Sequence, residues 1–170
     1  MGNRQLVIFG ATLLLVGAGL VFIVKDDRTK NQNATLPTEN GASALLATED
    51  FFDFGTISMR NGKVSRVFSV RNNEEEPMMI QSVYTSCMCT EALVTDSLGK
   101  KHGPFGMPGH TSPRTNITVG AGESVSVEAI FDPAAHGPSG VGLAERSIYL
   151  ETNSAEKPRV ELKFRAVVIR

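Results

Sequence analysis

The sequence predicts an all-β fold, an immunoglobulin-like antiparallel β-sandwich of about seven to eight strands, preceded by one N-terminal transmembrane helix. Three observations carry this. Apolar residues recur at every second position through the C-terminal two thirds of the chain, glycine-bearing turns separate those runs, and a 19-residue uncharged apolar stretch stands near the start. Alternation of period two puts one row of side chains on a core face and the other in solvent.

The apolar stretch is Leu6 to Val24, LVIFGATLLLVGAGLVFIV. As a helix it is about 28 Å long, matching a bilayer core of about 30 Å. No polar face interrupts it, as a buried helix of a soluble domain would require. Gly17-Ala18-Gly19 offers small residues to a signal peptidase, but Val21-Phe22-Ile23-Val24 continue the apolar run. An uncleaved anchor over residues 1–24 is expected. Arg4 precedes the helix, and Lys25, Arg28 and Lys30 follow it, which by positive charge alone places the C-terminal side in the cytoplasm. The five-residue head is that of an export signal, however, and Asp26-Asp27 dilute the flanking charge. A single-pass membrane protein with an extracytoplasmic domain, periplasmic or at the cell surface, is the expectation.

Residues 25–45 are polar, rich in Asn and Thr, and without period, so they read as a flexible linker. Residues 46–170 read as the sandwich. Val125, Val127, Ala129 and Phe131 alternate with Ser124, Ser126, Glu128 and Ile130; Val160, Leu162, Phe164, Ala166 and Val168 alternate across Glu161, Lys163 and Arg165. Shorter alternations surround Phe68 and Val70, and Ile148 and Leu150. Gly120-Ala121-Gly122-Glu123 is predicted to close a hairpin between Ile117–Val119 and Val125–Phe131. Asn72 to Pro77 breaks the chain before Met78-Met79-Ile80. A loop is expected over residues 96–114, and no segment after residue 45 keeps a helical period for ten residues.

Composition narrows the function classes. Lys+Arg 17 against Asp+Glu 18 gives a net charge of -1, which argues against nucleic-acid binding by counterion release. Two cysteines are too few for a disulfide-stapled scaffold. No nucleophile elbow, phosphate-binding loop or dinucleotide-binding glycine motif is present. The chain is not expected to be an enzyme.

Phe52-Asp53-Phe54-Gly55-Thr56-Ile57, the strand ending Arg71-Asn72-Asn73, Thr85-Ser86-Cys87-Met88-Cys89-Thr90, the Gly122-Glu123 turn, Phe131-Asp132-Pro133 and Leu150-Glu151-Thr152-Asn153 follow one another in that order. This series resembles the bacterial domain of unknown function 1573, a group of Ig-like sandwiches similar to hydin and major-sperm-protein type domains. The resemblance covers about residues 47–169. It implies the sandwich fold and a role in assembly or interaction, and supplies no catalytic residues. Two departures stand out: Met88 replaces the usual Gly between the cysteines, and residues 96–114 are an insert.

Cys87 and Cys89, two apart on a predicted strand or strand end, would face the same way. Their Cα atoms would lie about 6.6 Å apart, near the upper limit for a disulfide. Buried core residues, a redox-active pair and soft metal ligands are the three readings. The insert adds His102, Met107 and His110, and thiolate, thioether and imidazole together suit copper, above all Cu(I). Zinc held by Cys87, Cys89, His102 and His110 is the second metal option, disfavoured by the tight C-x-C spacing. The Gly- and Pro-rich loop around His136 reads as turn geometry. The leading expectation is a membrane-anchored interaction module with a protein partner in the cell envelope and no cofactor. A copper or zinc protein using the cysteines with the insert is the alternative, and a thiol redox protein the further one.

Overall fold

The computed structural model describes residues 45–111 and 113–170. The predicted anchor and nearly all of the predicted linker lie outside the described residues. Among the described residues, no helix is long and apolar enough to cross a membrane.

Ten strands follow one another: β1 (Leu45–Ala47), β2 (Phe51–Ser58), β3 (Val64–Asn72), β4 (Met78–Thr85), β5 (Thr90–Thr95), β6 (Lys101–Phe105), β7 (Arg114–Val119), β8 (Ser124–Phe131), β9 (Gly142–Thr152) and β10 (Arg159–Ile169). They form two five-stranded sheets, ordered β1-β3-β8-β5-β6 and β2-β10-β9-β4-β7. The alternating residues do what their period predicts. Val125, Val127, Ala129 and Phe131 of β8, and Val160, Leu162, Phe164, Ala166 and Val168 of β10, are all buried between the sheets. Phe131 and Phe164 meet across that interior with ring centroids 5.4 Å apart, and Phe54 stands edge-on to Phe164 at 5.4 Å.

Five expectations are corrected. The strands number ten because two short edge strands escape a two-residue period. β1 begins at Leu45, a buried residue assigned to the linker, and β6 lies within the segment expected as a loop. The sandwich is not wholly antiparallel, since β2 pairs with β10 in parallel, Phe52 opposite Phe164. Finally, the Gly120–Glu123 turn forms, with the Glu123 amide donating to the Gly120 carbonyl at 3.0 Å and Gly122 at φ 69°, but it closes no hairpin. β7 pairs with β4 and β8 with β3 and β5, so the turn is a corner between sheets.

Asn72 explains that corner. It is fully buried at the end of β3, and its Nδ2 donates to the carbonyls of Glu76 at 2.8 Å, Val119 at 3.0 Å and Gly120 at 3.1 Å. Its Oδ1 accepts from the Glu74 amide at 3.0 Å. One side chain thus ties a strand of the first sheet to the end of β7 in the second. Asn72→Ala leaves these groups without their partner and is expected to cost about 1–3 kcal/mol. Phe164→Ala, which opens a cavity among three aromatic rings, should cost about 3–5 kcal/mol. Urea unfolding should show lower midpoints for both with an unchanged slope; a wild-type midpoint for either variant contradicts the packing described.

Candidate functional site

Between β4 in one sheet and β5 in the other, the chain crosses in four residues, Ser86 to Cys89. Thr85, buried at the end of β4, directs its hydroxyl at the Cys87 carbonyl at 3.0 Å and the Thr90 carbonyl at 2.9 Å. The Thr90 amide donates to the Cys87 carbonyl at 3.1 Å, closing a turn, and the Asp132 amide donates to the Cys89 carbonyl at 2.9 Å. Ser86 and Ser147 exchange two bonds, each 2.9 Å, which fasten the turn to β9. The cysteines therefore sit in a pinned turn and not on an extended strand. The bend brings the Cys89 amide to 3.4 Å from Cys87 Sγ.

His136 arrives from the loop after β8. Asp132 shapes this loop by accepting the Ala134 amide on Oδ1 at 2.9 Å, and the Gly137 amide closes on the Ala134 carbonyl at 2.8 Å. Gly137 takes φ 58°, a left-handed conformation in which a side chain is strained. The register explains the meeting, because Phe131 at the end of β8 lies opposite Thr90 at the start of β5. His136 Nε2 reaches 3.2 Å from Cys87 Sγ. Both cysteines are free thiols, and the Cys87, Cys89 and His136 donor atoms all lie within 4.8 Å of one another. Cys89 is buried, Cys87 half-buried and His136 exposed, so the cluster opens to solvent on one side.

Arg146 completes the group. It occupies an inward position of β9, between buried Ala144 and Ile148, and its Nε donates to Cys89 Sγ at 3.0 Å. Burial works against its charge, yet the Cys89 bond and both thiols together raise its pKa. Burial also pushes the Cys87 thiol up, but the Cys89 thiol and amide, His136 and Arg146 outweigh it, and Cys87 falls from 9.0 to about 7. Cys89 goes the other way, raised by burial and by Cys87 against the opposing pull of Arg146 and Thr90. Arg146 touches Cys89, but Cys89 has lost more water, so the first thiolate is held chiefly at Cys87.

The structure does not gather the predicted set of Cys87, Cys89, His102, Met107 and His110. His102 lies opposite Val94, five residues along β5 from Cys89, or about 16 Å of strand. There its Nε2 pairs with Asp96 Oδ2 at 2.9 Å. Asp96 also caps the β5–β6 turn, accepting the amides of Leu98 at 3.0 Å and Lys100 at 2.9 Å. Its carboxyl is held below its usual range, first by His102 and then by the Lys100 amide. β6 runs back toward the cysteines, and the Thr85 amide donates to the Gly106 carbonyl at 3.2 Å. This brings the loop with half-buried Met107 and exposed His110 to the cysteine end, although His110 does not enter the group of three. The side chain of Met88 is exposed.

His136 and Arg146 are the residues that sequence reasoning missed. Carrying the Ile148 and Leu150 alternation back one step would have placed Arg146 on the inner face, where a cation requires a partner. For His136 no comparable signal exists, because strand pairing alone brings its loop to the turn.

The described residues are an Ig-like, two-sheet all-β module with a cysteine turn backed by arginine and faced by histidine. Over residues 45–102 the chain matches the family described as protein of unknown function (DUF1573), the one its motifs resemble. That segment contains both cysteines and neither His136 nor Arg146. A protein of unknown function from Porphyromonas gingivalis W83 aligns at 18% identity and TM-score 0.53, over 78% of this chain and 51% of that one. The Vibrio cholerae VesB protease aligns at 19% identity and TM-score 0.50, over 74% of this chain and 32% of that one. This chain thus spans about half and about a third of these two proteins. Both likenesses show the fold alone. No curated protein matches the chain.

Alkylation of Cys87 by iodoacetamide should follow a thiolate half-formed at about pH 7. Arg146→Met removes a cation that favours the thiolate, so the midpoint should move to higher pH and the reaction at neutral pH should slow. An unmoved midpoint would show that Arg146 does not act on the pair.

Proposed function

We propose that this chain is an interaction module of the cell envelope, anchored by residues 6–24, with its sandwich outside the cytoplasm and no catalysis of its own. One observation supports a binding face. On the outer side of the second sheet, Leu143 of β9 and Val167 of β10 stand directly opposite each other. They are 66% and 43% exposed, too open for a covered core position. Val141 and Ile169, exposed beyond the ends of the paired segment, extend the cluster. Grouped apolar side chains in solvent on a rigid sheet favour association with a second apolar surface. Elsewhere the outer face of that sheet carries polar pairs such as Asp53 with Arg165 and Glu161 with Lys163. The occupant proposed is another envelope protein, in keeping with the anchor and the assembly role the family resemblance implies.

A photo-crosslinking residue at position 143, in the full chain in intact cells, should give a discrete adduct that Val167→Lys abolishes. The same residue at position 98, where Leu98 is 92% exposed in the β5–β6 turn, should give none. Adducts from position 98 alone would move recognition to the insert and remove the sheet face. A periplasmic reporter enzyme fused after Arg170 should be active; activity only of a cytoplasmic reporter would overturn the orientation.

A further inference from the structure

We propose that Cys87, Cys89 and His136 form a three-coordinate site for one copper(I) ion, with Arg146 as the counter-charge behind it. Three donors, two soft sulfurs and one imidazole nitrogen, converge from two loops that only strand pairing brings together. All lie within 4.8 Å of one another. An ion about 2.3 Å from each sulfur keeps trigonal donors about 4 Å apart, so small side-chain adjustments suffice.

The choice of ion follows from charge and softness. Two thiolates and a neutral imidazole carry two negative charges, and the Arg146 guanidinium at 3.0 Å from Cys89 Sγ cancels one. A monovalent cation then neutralises the group, whereas Zn²⁺ leaves a net positive charge beside buried Phe131, whose ring lies 5.9 Å from Arg146 Cζ. Thiolate and imidazole donors are those that Cu(I) prefers. Binding releases whatever protons the thiols hold and changes no oxidation state, so no further reactant is needed. Half-buried Cys87 and exposed His136 leave an entry path, while buried Cys89 and the hydrogen-bonded turn fix the inner side. Arg146 is a positioning residue, acting on the ion through Cys89.

The test loads the full chain, in detergent and without oxygen, with acetonitrile-complexed Cu(I) against the chelator bicinchoninate. One Cu(I) per chain should be retained, with an X-ray absorption spectrum of two sulfurs and one nitrogen. Cys87→Ser and Cys89→Ser should lose it. Exposed His136→Ala should lose the nitrogen and bind at least tenfold more weakly with circular dichroism unchanged. Arg146→Met should weaken binding about 10- to 100-fold, as loss of an outer-shell partner does. His102→Ala and His110→Ala should bind as wild type. No retained Cu(I), retention undiminished in the double serine variant, loss in His110→Ala but not His136→Ala, or a Cys87–Cys89 disulfide in place of bound copper would each overturn the site. The assay needs no partner protein, so its failure leaves the sheet-face reading standing.

Discussion

One buried hydroxyl governs the local geometry on which the rest depends. Thr85 ends β4 in one sheet, and its side chain holds both the Cys87 and Thr90 carbonyls, so the strand turns at once into the other sheet. Without that bond the chain could cross by a wider path, and the cysteines would lie on extended backbone, facing the same way with separated sulfurs. With it, the backbone folds under Cys87, an amide points at its sulfur, and the neighbouring β9 can press Arg146 against Cys89. A threonine is suited to this position because its branched carbon belongs in a strand while its oxygen reaches the following turn.

Arg146 shows how a β-sandwich tolerates a cation on its inner face. The position belongs to the inward row of β9, where an unpaired charge would be costly to bury. It lies at the rim, half-buried, with the Cys89 sulfur on one side, the Glu145 carbonyl at 2.7 Å on another and the Phe131 ring beneath. The arginine and the thiols are therefore interdependent. The cation joins the Cys89 thiol and amide and His136 in lowering the Cys87 thiol, and the sulfurs give the cation a partner that water would otherwise supply.

The regular part of the fold was legible in the residues. Val125 to Phe131 and Val160 to Val168 alternate without a break because each strand has one dry face and one wet face, and burial enforces that period. Where the physics is not periodic, the sequence is silent. β1 and β6 are three and five residues long at sheet edges, too short to display a rhythm. The glycine turn at 120–123 was visible, but a turn reports its own backbone and says nothing of which strands will pair. Asn72 decides that, through bonds to residues nearly fifty positions away. The cysteines drew attention as donors; their partners His136 and Arg146 come from elements whose proximity is a property of sheet order.

The parallel pairing of β2 with β10 has a consequence for synthesis. Among the described strands β2 is bonded in its sheet to β10 alone, and β10 comes last. Until β10 has been made, β2 has no strand to pair with and Phe131 of β8 lacks the Phe164 ring it packs against. The thiols likewise wait for Arg146 on β9, which at that stage has β4 on one side and not yet β10 on the other. The second sheet is therefore completed by two strands, β2 and β10, that lie far apart in the chain, and its edge stays open until the later of them has been made.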